Sequence, residues 1–185
     1  MLSTLTQVPS GYVCDMHEQL DRWTAGTMEL PLSIWLPGMF NAKAFVTSVQ
    51  QVYARKYKLP LDVMKFKTEC TQKMTPDKLT ETLEEGTYIH GLTMEGARWD
   101  VKEGLVKDSI PKVLREMLPC MIVVPVRSDV YDISGYYMCP VYMNMQRANV
   151  YSAMVSVFTL KTSEADPIKW TLASVALLMQ DELAI

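Results

Sequence analysis

The stretch that decides the fold is residues 88–100, which read YIHGLTMEGARWD. Residues 87–92 carry the aromatic and β-branched side chains that favour a strand. Just beyond, residues 98–101 and 105–107 flank a short link that contains Gly104, and such a link predicts a β-hairpin. The middle of the chain is therefore expected to consist of short strands.

Strand patterns continue on both sides of this stretch. Residues 64–70 alternate apolar and polar side chains, which predicts a strand with one solvated face. Residues 121–126 predict a buried strand that Pro125 restricts to an edge or a bulge. Together with residues 136–142, 155–161 and 171–179, the strands are typical of a barrel or sandwich. The last of these runs also suits a buried helix, and residues 112–117 predict a short helix.

The first third of the chain is predicted to be helical. One face of residues 12–26 carries apolar residues at helical spacing: Val13, Met16, Leu20 and Trp23. Residues 30–38 contain two prolines, which forbid a regular helix, so this apolar segment is expected to pack against another element. Asn41 predicts the N-cap of a second helix, which ends near residue 58 because Pro60 disfavours helical geometry before it.

Composition and charge exclude several classes of protein. The 185 residues are 49% hydrophobic and 21% charged, as in an ordinary globular domain. The net charge of −3 and the scattered lysines and arginines argue against a nucleic-acid partner. Apolar runs are too short for a membrane span, and the four cysteines form no C-x-x-C pair, so reduced thiols in the cytosol are expected. Met1 is interpreted as a start inside a longer polypeptide.

Candidate catalytic chemistry centres on His90, because Glu95 and Asp100 follow it closely. A histidine beside carboxylates is a candidate general base or metal ligand. The sequence supplies no nucleophile elbow, zinc-protease motif, phosphate-binding loop or calcium loop. We therefore expect no catalytic, cofactor-binding or metal-binding residues, and we interpret these side chains as a structural network in which Arg98 pairs with Glu95 or Asp100.

Five ordered motifs carry a family resemblance. Residues 88–100 resemble a signature of the C-terminal region of dynein heavy chains, and four further segments resemble other motifs of that region: 32–41 (LSIWLPGMFN), 45–56 (FVTSVQQVYARK), 139–142 (CPVY) and 169–178 (KWTLASVALL). Ser174 departs from the family, which often has glycine there. The CPVY element and the KW ending are more similar to axonemal than to cytoplasmic dyneins, with a lean toward an outer-arm type.

The resemblance implies an α+β fold and a setting. It implies helices in residues 1–60, then an incomplete antiparallel β-barrel of about seven or eight strands in residues 61–185, with the last apolar run as a strand. The domain is expected to pack on the AAA+ ring of the same heavy chain in the axoneme of a cilium or flagellum, and to tune the motor without catalysis of its own. Microtubules and the intermediate and light chains are expected partners through the parent heavy chain.

The resemblance also assigns structural roles to individual residues. The signature residues are His90, Gly91, Glu95, Gly96, Arg98, Trp99 and Asp100. The apolar segment of residues 32–40 is also a predicted packing interface, with Trp35, Leu36 and Phe40 as its members. No cofactor is expected.

Two other functions compete with this interpretation. One is a free-standing β-barrel module that binds a peptide or small ligand, which a pocket of aromatic and polar groups favours. The other is a small hydrolase that uses His90, which a bound metal or a reactive thiol favours. The mass of the native protein separates both from a motor protein, because a dynein heavy chain is far larger than 21 kDa.

Overall fold

The computed structural model describes residues 32–39, 41–143, 154–164 and 166–179, and these ranges have an α+β fold with two α-helices, three short 3₁₀-helices and eleven strands. The helix predicted for residues 12–26 and the predicted interface residue Phe40 lie outside the described residues. Neither described helix combines the length and hydropathy that crossing a bilayer requires.

Helix α1, Ala42–Tyr57, begins and ends where the sequence predicts. The Asn41 side chain accepts a hydrogen bond from the Ala44 amide at 2.9 Å, which caps the helix N-terminus. Lys58 follows in the left-handed conformation at φ 54°, and the Leu59 amide donates to the Ala54 carbonyl at 2.8 Å. These contacts use backbone groups that the helix ends leave unpaired, so the predicted N-cap and terminus are confirmed.

The first sheet has four strands in the order β1, β3, β8, β2. Their bounds are Ser33–Trp35 for β1, Thr87–His90 for β3, Met121–Arg127 for β8 and Met64–Cys70 for β2. β1 runs parallel to β3, whereas β3–β8 and β8–β2 are antiparallel. In β2 the buried residues alternate with more exposed ones, so the strand predicted for residues 64–70 is confirmed.

The second sheet has five strands in the order β10, β9, β11, β4, β7. Their bounds are Met154–Lys161 for β10, Tyr136–Tyr142 for β9, Ala176–Met179 for β11, Leu92–Glu95 for β4 and Arg115–Met117 for β7. β9 and β11 are parallel and the other pairs are antiparallel. β5, Ala97–Asp100, and β6, Leu105–Asp108, form the predicted hairpin.

Pro125 lies in β8 at a point where, among the described strands, only β2 is a neighbour. The ladder between β3 and β8 ends at the pair Thr87 and Val123, while the β2 ladder continues to Arg127. Proline lacks the amide that a second neighbour requires. The prediction that Pro125 marks a local edge is confirmed.

Two predicted elements are wrong. Residues 171–179 are not one strand, because helix α2, Ile168–Leu172, precedes β11. This helical turn buries Trp170, whose indole nitrogen donates to the Thr162 hydroxyl at 2.8 Å. Residues 112–117 are not a helix, because Lys112 takes φ 71° in a turn and β7 then pairs with β4. Pairing with a distant strand outweighs the local pattern there.

The core gathers side chains from both larger sheets, the hairpin and both helices. Phe66 of β2 and Phe158 of β10 pack edge to face with centroids 6.0 Å apart. The described strands form mixed sheets without closing into a barrel, and the two parallel pairs depart from the all-antiparallel prediction. β1 lies before residue 60 yet belongs to the first sheet, so the predicted helical part also supplies a strand.

Candidate functional site

Trp35 lies between two glycines of the predicted motifs. Gly91 has φ +89°, and a Cβ atom there would lie 2.5 Å from Cδ1 of the Trp35 ring. A Cβ atom on Gly38 would meet the ring still more closely, on its six-membered side. The indole is only 9% exposed. The signature glycine therefore makes room for this ring, which any larger residue would displace.

His90 joins β1 to β3. Its Nδ1 atom lies 2.8 Å from the Ser33 hydroxyl, and the neighbouring strand pair places Trp35 opposite His90. The half-buried imidazole is thus engaged in the pairing of the two strands. This contact gives the histidine a structural use that needs no substrate.

Gly96 lets two segments of the backbone pass close together. It has φ +80°, and a Cβ atom there would lie 2.8 Å from the carbonyl oxygen of Ala173, just after α2. The neighbouring Glu95 lies opposite Ala176 of β11 on one side and Arg115 of β7 on the other. The middle of the signature therefore organises the end of the second sheet.

Asp100 holds the hairpin turn. Its Oδ1 atom accepts hydrogen bonds from the amides of Lys102 at 3.0 Å and Glu103 at 3.1 Å. Its Oδ2 atom lies 3.5 Å from Arg98 Nη1 and 3.7 Å from Lys107 Nζ. The Glu103 amide, followed by the Lys102 amide and the two cations, holds the pKa of Asp100 below its usual value. Arg98 therefore lies beside one of its two expected partners.

Trp99 points to the opposite side of β5 from these charges. It is buried in the core, whereas Arg98 and Asp100 are partly exposed. The alternation is the one expected for a strand with one buried face. Two of the three predicted packing residues, Trp35 and Leu36, are also buried inside the domain.

Metal binding and thiol chemistry find little support in the part of the chain that the structure describes. Within those residues, no group of three or more histidine, cysteine or acidic side chains is arranged to hold a metal ion. Burial raises the pKa of the Cys70 thiol and of the Cys120 thiol above the ordinary value. Both are therefore protonated and weakly nucleophilic at neutral pH.

A groove of about 440 Å³ lies between α1 and the loop before β3. Its α1 wall carries aromatic and apolar side chains, Phe45, Val49, Val52 and Tyr53. At one end Lys56 Nζ lies 3.0 Å from Glu85 Oε1, and the Tyr57 hydroxyl donates to the same carboxylate. Sequence reasoning missed this groove, because residues 56 and 85 are brought together only by the fold.

The sequence of the chain also matches a known protein family. Residues 11–179 match the family model for the C-terminal domain of dynein heavy chains. The chain belongs to this family. The resemblance predicted from the five motifs is thereby confirmed.

Relatives of this dynein domain have axonemal, flagellar or ciliary names. It is 56% identical over 172 residues, 93% of its length, to the dynein alpha chain of the flagellar outer arm from Chlamydomonas reinhardtii. It is 40% identical over 163 residues, 88% of its length, to dynein axonemal heavy chain 9 from Homo sapiens and to the ciliary dynein beta chain from Tripneustes gratilla. The domain spans about 4% of the length of these relatives.

Sequence reasoning also missed an apolar surface on this dynein domain. We call it the β7 surface, and its residues in and before β7 are Ile110, Val113, Leu114 and Met117. Leu114 is 84% exposed and the others are also largely exposed. The sequence did contain one signal for this surface, because four large apolar residues lie close together within residues 110–117. In the structure, Pro111 and Lys112 form a turn in this segment.

Proposed function

We propose that this chain is the C-terminal structural and regulatory domain of an axonemal dynein heavy chain that works in a cilium or flagellum. In this proposal the domain packs on the AAA+ ring of the same heavy chain and modulates microtubule motor activity. Intermediate chains, light chains and microtubules are partners through the parent heavy chain. The family match over residues 11–179, the relatives' names and the 4% coverage of their length support it.

The observation that carries the non-catalytic part of the proposal is the use of the signature side chains. Ser33 contacts His90, Trp35 packs against Gly91, and Asp100 accepts two backbone amides in its own turn. A general base must instead face a substrate proton within hydrogen-bond reach. The signature is therefore better explained as a set of folding contacts than as a hydrolytic site.

We also propose that the two larger sheets make up an incomplete barrel. Their meeting point is β2 beside β10, where the Thr68 amide donates to the Thr159 hydroxyl at 3.2 Å and the Thr68 hydroxyl donates to the Thr159 carbonyl. Both threonines are buried, so these bonds form away from water. A Thr159→Val variant keeps the bond to its carbonyl but loses the bond to its hydroxyl, and it is expected to loosen β10 from β2, as measured by amide exchange in both strands.

Regulation of a ring requires a difference in binding. A domain shifts a conformational equilibrium only if it contacts one state of the ring better than another. Coupling of this kind is typically about 1–3 kcal/mol, which corresponds to roughly a 5- to 150-fold change in affinity. The proposal therefore predicts a measurable effect on the motor, although the sequence of the domain contains no known phosphate-binding loop.

The test compares the complete heavy chain with a form that lacks residues 11–179. Removal should change microtubule gliding velocity and shift the ring's apparent nucleotide or microtubule affinity by at least about fivefold. ATP binding by the ring should persist. Wild-type velocity, ATPase rate and affinities after removal would contradict the regulatory role.

A second test addresses catalysis directly. The 185-residue protein and its His90→Ala variant are assayed with ester, phosphoester and peptide substrates. We expect no turnover that depends on His90. Turnover that disappears in the variant, with the fold intact by circular dichroism, would favour the hydrolase interpretation instead.

One observation favours the free-standing binding module as a second candidate. The groove beside α1 has aromatic and apolar walls, and the Lys56–Glu85 ion pair lies at one end. Such a groove is the kind of site that binds a peptide or small ligand. The mass of the native protein, measured by immunoblot against this domain, decides between the two: a protein near 21 kDa would support the module, and a protein of heavy-chain size the motor domain.

A further inference from the structure

The loop between β2 and β3 carries a sequence pattern that occurs once in the chain. Its residues 73–78 read KMTPDK, and among the ten prolines only Pro76 follows a serine or threonine. Lys78 stands two positions after this proline. A hydroxyl residue followed directly by proline and then by a cation is the pattern that proline-directed protein kinases accept. A pattern this short needs support from the structure, and the conformation of the loop around Thr75 provides it.

Pro76 determines the backbone conformation of Thr75. A proline ring disfavours helical geometry in the residue before it, and Thr75 has φ −121° and ψ 143°, as in an extended strand. The Thr75 side chain is exposed, and it makes no capping hydrogen bond to the 3₁₀ turn, Pro76–Lys78, that follows. The hydroxyl is therefore presented to solvent on extended backbone, which is a shape that an active-site cleft can bind.

The loop is anchored to the domain on both sides of Thr75. On one side the Cys120 amide donates to the Lys73 carbonyl at 2.8 Å, and on the other side the Leu79 side chain is buried. The 3₁₀ turn between these anchors is closed by backbone hydrogen bonds of 3.3 Å and 2.9 Å. Opening this single turn would make residues 74–78 available to another protein while both larger sheets stay intact.

We propose that Thr75 is a phosphorylation site for a proline-directed protein kinase that uses MgATP. The Thr75 Oγ1 atom forms a bond to the γ-phosphorus, the bond from that phosphorus to the β–γ bridging oxygen breaks, and ADP leaves. The hydroxyl proton passes to the catalytic aspartate of the kinase. Pro76 selects this class of kinase, because proline brings no amide proton into a kinase pocket that offers no acceptor for one.

Phosphorylation would reverse the charge of the loop. Lys73, Asp77 and Lys78 together carry one net positive charge. A phosphate on Thr75 adds a charge of about −2 and three strong hydrogen-bond acceptors. The modified loop would therefore attract a basic partner surface where the unmodified loop attracts an acidic one. This inference does not rest on the proposed function, because the loop belongs to the domain whatever the domain does in the parent chain.

Two neighbouring hydroxyl groups provide a comparison with Thr75. The Thr71 hydroxyl donates to the Cys120 carbonyl at 2.7 Å, so it is already engaged within the domain. Thr80 is exposed, as Thr75 is, but Glu81 rather than a proline follows it. Thr80 is therefore the matched control for exposure without the proline.

The first experiment incubates the 185-residue protein with MgATP and a cyclin-dependent kinase, which is proline-directed, and locates the phosphate by peptide mass spectrometry. Thr75→Ala removes the nucleophile and Pro76→Ala restores an amide proton, so each should lower incorporation by at least about tenfold. Thr80→Ala should stay within about twofold of wild type. Equal incorporation in Thr75→Ala and wild type, or phosphate mainly on another residue, would overturn the proposal.

The second experiment separates access in the folded loop from the sequence pattern. The phosphorylation rate of the 185-residue protein is compared with that of a synthetic peptide of residues 69–82. The protein should react within about tenfold of the peptide's rate, because a single turn has to open. A larger deficit would show that the folded loop does not reach a kinase and would overturn the proposal.

A conservative variant checks that the hydroxyl itself is the acceptor. Thr75→Ser keeps a hydroxyl before Pro76 and should restore the incorporation that Thr75→Ala loses, with circular dichroism unchanged in both variants. Loss of incorporation in Thr75→Ser as well would count against the proposal. The gliding assay of the complete heavy chain uses none of these measurements, so the proposed function is judged separately.

Discussion

The Trp35 region and the β7 surface show two opposite uses of apolar residues. In the Trp35 region, Gly38 and Gly91 leave room for a buried indole, and the nearby Ser33 hydroxyl contacts His90. At the β7 surface, large apolar side chains are exposed beside a carboxylate oxygen that no described donor reaches. The comparison teaches that the motifs which identify the family build the domain, whereas the exposed apolar residues of the β7 surface belong to no recognised motif.

The largest effect that sharpens this comparison is expected from Trp35→Ala. The substitution empties a buried site between two glycines and should destabilise the domain by about 3–5 kcal/mol. Urea unfolding followed by circular dichroism measures it. As a control, Val52→Ala on the exposed face of α1 should stay within about 0.5 kcal/mol of wild type. A loss no larger than the control's would mean that Trp35 does not anchor the fold.

The second largest loss of stability is expected from Gly91→Ala. The new methyl group would meet the indole, and φ +89° is strained for alanine, so the free energy of unfolding should fall by about 2–4 kcal/mol. Gly104→Ala is the matched control, because Gly104 also has positive φ but nothing lies within 4 Å of its Cβ position. The control should lose only about 1 kcal/mol from backbone strain. Equal losses in the two variants would argue against close packing at Gly91.

The surroundings of Gly91 also show how far the sequence reaches. Local signals predicted α1, β2 and the β5–β6 hairpin, because capping, alternation and turn chemistry depend on neighbours along the sequence. The parallel pairing of β1 with β3 and the position of Gly91 against Trp35 join residues that are far apart in the sequence, and no local pattern encodes them. The motifs identified the family through these residues without revealing what each one touches.

The two wrong predictions of secondary structure have the same cause, because both segments are shaped by residues far away in the sequence. Residues 171–179 are mostly apolar, but burial of Trp170 and its bond to Thr162 require a helical turn before β11. The helix predicted for residues 112–117 does not form because β4 offers an unpaired edge to Arg115–Met117. The sequence did not predict the β7 surface, because the exposure of its residues depends on a strand pairing that no local pattern specifies.

A smaller effect is expected when the pH is lowered through the titration of Asp100. Its pKa is lowered in the folded domain, so the unfolded state binds the proton more readily and stability rises with pH in this window. The charge therefore contributes fully above the unfolded pKa of about 3.9, and the contribution is lost as the pH falls through the lower folded value. Unfolding temperatures of wild type and Asp100→Asn should differ at pH 7 and converge below about pH 4.

Arg98, the ion-pair partner of Asp100, provides a check on the pH dependence of stability. Arg98→Ala removes an ion pair at the partly exposed hairpin and should cost no more than about 1 kcal/mol at pH 7. The two backbone amides stay bonded to Asp100 in that variant, so the acid sensitivity should remain. A stability difference for Asp100→Asn that does not change with pH would show that the carboxylate is not the titrating group.

The smallest effect on stability is expected at the β7 surface. Leu114→Ser replaces a side chain that is 84% exposed, so the free energy of unfolding should change by less than about 0.5 kcal/mol. A loss of several kcal/mol in the isolated domain would place Leu114 in the fold and would remove the contrast with the Trp35 region.

Hydrogen–deuterium exchange of the 185-residue protein and of the complete heavy chain tests the central claim most directly. Some peptides outside residues 88–100 should become at least about tenfold slower to exchange in the complete heavy chain, because the packing on the ring that we propose would cover part of the domain surface. Peptides that cover residues 88–100 should exchange alike in both, because their contacts lie within the domain. Equal exchange of all peptides in the two proteins, or new protection confined to residues 88–100, would contradict the account.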